Sequence, residues 1–157
     1  MIFNQIFDDK SSTYTYIIAS DKGREALIID PVIEKTEEYL KVLRELDLKL
    51  VKVIDTHIHA DHITGLNELS KRTNCTKIMG ECSKSEVVDL KVKEGEKIEI
   101  DKIELKTIYT PGHTDCSYSF LMNDKVFTGD TLLINGTGRT DFQNGSAKTQ
   151  YDSLFNK

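Results

Sequence analysis

The stretch Thr56-His57-Ile58-His59-Ala60-Asp61-His62 constrains this chain more than any other. Three of the four histidines of the sequence fall within six residues, with an aspartate between the second and third. Imidazole nitrogen and carboxylate oxygen both suit divalent transition metals. In an extended loop, side chains alternate from side to side. His57, His59 and Asp61 then project together, and His62 faces away unless the chain turns. The rest of the chain reads as a scaffold that brings further ligands to this loop.

That scaffold is legible as alternating patterns. Residues 2–7 and 13–19 are rich in aromatic and β-branched types and read as strands joined by the polar turn 8–12. Ala26–Ile29 is a third strand, stopped by Asp30-Pro31, and the three predict an antiparallel meander. Thr36–Leu46 reads as a helix with Tyr39, Leu40, Leu43 and Leu46 on one face. Leu48–Ile54 is a strand running straight into the histidine loop, Thr64–Arg72 a short helix, and Lys77–Met79 a short strand. Lys97–Ile100 and Ile103–Tyr109 flank the two-residue turn Asp101-Lys102, and Ser117–Met122 and Lys125–Thr128 flank Asn123-Asp124. The segment after Thr131 reads as Gly-, Asn- and Thr-rich loop until Thr149–Phe155, which begins a helix. Helices between strands predict an α/β (α+β) domain. Three strands end at a metal-competent residue: His57 after 48–54, His113 after 103–109, and Asp130 after 125–128. Sites at strand ends are rigidly held yet open to substrate.

At 157 residues the chain fits one domain spanning 1–157. Apolar residues make up 38% and charged residues 30%, with a net charge of −5. No Lys/Arg-rich run predicts a nucleic-acid surface, and no apolar stretch is long enough for a membrane span. Cys75, Cys82 and Cys116 form no C-x-x-C pair, so a reducing, cytoplasmic setting is expected.

Two chemistries fit the ligand inventory. His57, His113 and Asp130 make the two-histidine, one-carboxylate face of non-haem Fe(II) oxygenases. Alternatively, His57, His59 and His113 would hold one zinc ion, and Asp61, His62 and a bridging Asp130 a second. The second ion would want one more strong ligand, and the sequence has no fifth histidine. Downstream, Gly136-Thr137-Gly138-Arg139-Thr140-Asp141-Phe142-Gln143 supplies an arginine able to bind a substrate carboxylate bidentately.

Four stretches together resemble the metallo-β-lactamase superfamily, within it the persulfide dioxygenase (sulfur dioxygenase) branch, itself similar to the hydroxyacylglutathione hydrolases (glyoxalase II). They are Thr56–Gly65, Pro111–Asp115, Phe127–Ile134 and Gly138–Gln143. The resemblance implies an αββα sandwich with one Fe(II) per chain on His57, His113 and Asp130. His59, Asp61 and His62 are then nearby, as supporting residues or an alternative second-metal set. It implies oxidation of glutathione persulfide by O₂ to sulfite and glutathione, with Arg139, Thr140, Asp141 and Phe142 helping to hold the carrier. Homodimers are common among such proteins. The alternatives are a zinc-dependent thioester hydrolase of the glyoxalase II type and a truncated, non-catalytic metal-binding domain. Three departures stand out. Cys116 replaces a usual glycine and is expected to strain the turn or crowd the site. Thr137 replaces a usual cysteine. The family continues well past Lys157, so the C-terminal part of the usual fold is expected to be absent and apolar surface on one sheet exposed.

Overall fold

The computed structural model describes residues 1–157. The N-terminal meander forms as expected: β1 (Ile2–Asp8), β2 (Thr13–Ala19) and β3 (Glu25–Ile29) pair antiparallel, with Phe3 opposite Ile18 and Ala19 opposite Ala26. The chain then crosses over through α1 (Thr36–Glu45) to β4 (Lys49–Ile54), parallel to β3, and through α2 (Leu66–Thr73) to β5 (Thr76–Gly80), parallel to β4. A strand that periodicity did not reveal, β6 (Leu90–Val92), adds to β5 and completes a six-stranded sheet in the order β1-β2-β3-β4-β5-β6. Three residues are too few to display a period, which is why the sequence hid it.

The second sheet is antiparallel. It consists of β7 (Lys97–Ile100), β8 (Ile103–Tyr109), β9 (Tyr118–Met122) and β10 (Lys125–Phe127), ordered β10-β9-β8-β7. The last helix, α3 (Ala147–Asn156), starts at Ser146, whose side chain accepts a hydrogen bond from the Thr149 amide.

Strand alternation sorts the apolar residues into two layers. Ile17, Ala19, Ala26 and Ile28 face Tyr39, Leu40, Leu43, Leu66 and Leu69, so α1 and α2 cover one side of the first sheet. Ile18, Leu27, Ile29, Ile54 and Ile78 face the other way and meet Ile98, Leu105, Tyr118 and Phe120 of the second sheet. A strand buried on both faces needs an unbroken apolar run, which is what Ala26-Leu27-Ile28-Ile29 provides. The outer face of the second sheet divides into two parts. In β7 and β8 it carries Lys97, Glu99, Glu104 and Lys106, all exposed, whereas toward β9 and β10 it carries Leu121, half-buried, and Val126, 50% exposed.

Candidate metal centre

β3 and β4 are parallel neighbours, so their C-terminal ends lie side by side, where open α/β sheets bind ligands. The Asp30 amide donates to the Ile54 carbonyl (2.8 Å), which registers the two strand ends. Asp30 sits in the left-handed region (φ +51°), and the turn aims its carboxylate at the histidine loop. One carboxylate oxygen accepts from the Thr56 amide (2.7 Å) and the other from the Thr56 hydroxyl (2.9 Å). The His59 Nε2 lies 3.2 Å from the first of these oxygens.

This arrangement settles which nitrogen of His57 is free. The Thr56 hydroxyl has spent its proton on Asp30, so at 2.9 Å it accepts from His57 Nδ1–H. His57 Nε2 is therefore left with its lone pair. The same holds at His113, whose Nδ1 faces the Arg139 carbonyl at 2.7 Å and must donate to it, leaving Nε2 as the acceptor, 3.5 Å from Asp130 Oδ2. Fixing the tautomer through the distal nitrogen is how proteins orient metal-binding histidines. Donor atoms of His57, His113 and Asp130 all lie within 4.8 Å of one another, and the two imidazole planes cross at 87°. The donor set fits a transition metal on its chemistry and its convergence.

Burial and neighbouring charge tune these groups. Burial, with His59 and His113 adding to it, pushes His57 down to about 3, so this ring is neutral as a ligand must be. Burial raises the Asp130 carboxyl, against the pull of His113. Burial also disfavours charge on His59, but Asp30, Asp55 and Asp61 outweigh it and push His59 up to about 9. Asp55 is pushed up to about 8 by burial and by Asp30.

The histidine loop does turn. His59, Asp61 and His62 form a second group within 4.8 Å, so His62 rejoins the side from which an extended loop would have sent it. His62 Nδ1 lies 3.0 Å from Asp61 Oδ2 and 3.3 Å from the Thr13 hydroxyl, while its buried Nε2 has no hydrogen-bond partner. Asp30, Asp55, Thr56 and Thr13 were not singled out from sequence. Asp30 read only as a strand stop; an acidic residue ending the strand beside the histidine loop was the available signal.

The two close approaches in the site explain two glycines. A Cβ on Gly129 (φ +48°) would fall 2.3 Å from the Thr56 hydroxyl, and one on Gly138 would fall 2.5 Å from the Asp130 carbonyl and 2.7 Å from His113 Nδ1. Gly138 thereby lets the arginine loop lie directly against His113 and Asp130. A cavity of about 490 Å³ opens there, lined by His113, Asp130, Arg139 and Phe142. A second, of about 610 Å³, reaches Asp130 from the side of Tyr14, Tyr16 and Leu132. Arg139 is not a free cation: Asp141 takes its guanidinium bidentately at 2.8 and 2.9 Å, and Phe142 lies 5.8 Å from it. Thr140 faces a separate groove beside α3. Cys116 does not strain its turn. Its backbone is outside the left-handed region, and its buried sulfur accepts from the Ile58 amide at 3.4 Å, bracing the histidine loop.

The family model of the metallo-beta-lactamase superfamily matches residues 8–81 and 83–157. The chain is 43% identical to the mouse mitochondrial persulfide dioxygenase ETHE1 over 160 residues, a match that takes in the whole chain and 63% of that protein. The crystal structure of ETHE1 from Myxococcus xanthus superposes with a TM-score of 0.95 at 47% identity, covering 98% of this chain and 68% of that one. A hydroxyacylglutathione hydrolase of Buchnera aphidicola is 35% identical over 127 residues, covering 80% of this chain and 50% of the hydrolase. The chain thus spans under two thirds of the length of the curated relatives.

Proposed function

The chain belongs to the metallo-beta-lactamase superfamily, and from that membership we propose that it is a persulfide dioxygenase with one Fe(II) per chain on His57, His113 and Asp130. The observation that carries the reading is the convergence of one donor atom each from His57, His113 and Asp130, with both imidazole Nδ1 atoms tied off. Its likeness to the ETHE1 proteins supports the choice of reaction. That reaction is R–S–SH + O₂ + H₂O → R–SH + SO₃²⁻ + 2 H⁺; the outer sulfur is oxidised and O₂ reduced. Glutathione is the proposed carrier.

Bound iron supplies a redox-active Lewis acid with positions open to sulfur and O₂. The protein's part is to orient and to bind. Thr56 and the Arg139 carbonyl hold the two rings, and Asp30 holds Thr56. The cavity beside Arg139 and Phe142 receives the carrier. A carboxylate there competes with Asp141 for the guanidinium. Arg139→Ala is expected to raise KM for an anionic persulfide with little effect on kcat, and Asp141→Asn to lower it, because the contact is shared by ground and transition states. We place the reaction in a reducing compartment, consistent with three free thiols; no helix is long and apolar enough to cross a membrane.

A second reading, a zinc-dependent thioester hydrolase, draws on the adjacent His59, Asp61 and His62 group and its unpartnered Nε2. Oxygen uptake with glutathione persulfide, measured beside hydrolysis of S-lactoylglutathione on one preparation of known metal content, separates the two. The dioxygenase reading expects persulfide-dependent O₂ consumption and sulfite release. Rapid thioester hydrolysis under nitrogen, with no such uptake in air, overturns it.

A further inference from the structure

His113 follows β8 and Asp130 follows β10, and β9 separates those strands. Two ligands of one metal therefore leave the sheet from strands on the order of 10 Å apart. Something beyond strand pairing must set the distance between their turns. At the strand roots the Thr131 hydroxyl donates to the Thr110 carbonyl (3.1 Å). Beyond the roots, the 138–139 loop ties the two, its Gly138 amide donating to the Asp130 carbonyl (2.8 Å) and its Arg139 carbonyl facing His113 Nδ1 (2.7 Å), and further contacts come from α3. The Ser146 amide donates to the Gly112 carbonyl (2.8 Å), and the Ser153 hydroxyl donates to the Pro111 carbonyl (2.6 Å). Gln150, only 4% exposed, reaches both turns. Its Nε2 donates to the Thr131 carbonyl, next to Asp130. Its Oε1 lies against Gly112, next to His113, so closely that a Cβ there would fall 2.1 Å away, and 2.4 Å from the Gln150 Cα. That Oε1 makes no hydrogen bond. The side chain is thus held by its donor and its fit rather than by satisfying both polar ends.

We propose that α3 is a positioning element for the metal centre, and that Gln150 tunes the spacing between the His113 and Asp130 turns. This rests on the reading that His113 and Asp130 share a metal. Gln150 touches neither metal nor substrate; it acts through the backbone of the two turns. A residue at 150 without the donor removes the tie from α3 to the Asp130 turn and leaves its spacing from His113 to the 138–139 loop and the Thr131–Thr110 bond alone.

Cobalt(II) binding to the full chain tests this, through its dissociation constant by chelator competition and its visible d–d absorption. Gln150→Met keeps length and removes the donor. It is expected to weaken cobalt binding about tenfold, the low end for lost outer-shell support, and to change the absorption bands. Ser153→Ala, which removes only the Pro111 bond, should shift both in the same direction by less, and carries the comparison alone if Gln150→Met does not fold. Leu43→Ala, in the α1 core, should lower the melting temperature and leave cobalt binding and spectrum unchanged. Unaltered affinity and spectrum in the α3 variants, or equal changes in Leu43→Ala, overturn the inference. A parent chain that takes up no cobalt overturns the metal reading along with it, so the two failures are distinguishable.

Discussion

At the scale of single residues, the centre depends on which atoms are left free. His57 and His113 each donate through Nδ1 and present Nε2, whereas His59 is held through Nε2 by Asp30. His57→Ala and Asp130→Ala are therefore expected to abolish metal binding, and His62→Ala to leave most of it, since an adjacent residue tunes rather than ligates. Metal analysis after gel filtration checks this; equal loss in His62→Ala counts against a single-metal centre. Gly138 makes a separate prediction. Gly138→Ala drives a methyl to within 2.5 Å of the Asp130 carbonyl and 2.7 Å of His113 Nδ1. Overpacking of this kind costs about 1–3 kcal/mol. Retained metal and an unchanged melting temperature in Gly138→Ala would show that the loop accommodates it.

At the scale of elements, each helix has its own dependence. Leu43 is buried in the layer between α1 and the first sheet, and Leu43→Ala is expected to cost about 2–5 kcal/mol in denaturant unfolding. Ser146 caps α3, and Ser146→Ala should cost about 1 kcal/mol. The β1–β2 turn carries a pH dependence. The Ser11 amide and hydroxyl hold the Asp8 carboxyl below its usual range. A carboxyl depressed in the fold stabilises above its unfolded value of about 4 and loses that contribution as pH falls through the lower folded value. The difference in melting temperature between parent and Asp8→Asn should accordingly be full at pH 7 and shrink toward pH 3. A difference constant over that range contradicts the assignment.

For the whole molecule, metal and surface decide behaviour in solution. A ligand that binds only the folded chain stabilises it by about 2.7 kcal/mol at a hundredfold excess over its dissociation constant. Adding metal to the metal-free chain is therefore expected to raise the unfolding midpoint in proportion, and a chelator to reverse it. The charged β7–β8 part of the second sheet's outer face favours solubility, but Leu132, Leu133 and Ile134 are exposed beside the site, Ile134 by 82%. Apolar residues grouped on a surface promote association. Sedimentation velocity should show concentration-dependent association that Ile134→Ser reduces; a monomer at all concentrations for the parent refutes this.

The order of elements, β6 apart, and the three strand ends that carry the candidate ligands were readable because alternation and periodicity are local properties of the chain. The apolar run Ala26–Ile29 marked a strand, and the cluster from His57 to His62 marked a candidate metal loop, from residue types alone. What residue types do not encode is which distant atoms become neighbours. Asp30 became part of the centre only because β3 and β4 pair in parallel and bring its carboxylate under Thr56. The reach of Gln150 to both candidate ligand turns, and the contact of the His113 ring with the Arg139 carbonyl, are likewise properties of the packed molecule. Local pattern determined the strands and the donors. The tautomer, charge and spacing of those donors were decided by contacts between segments far apart in sequence, and only the folded chain creates those contacts.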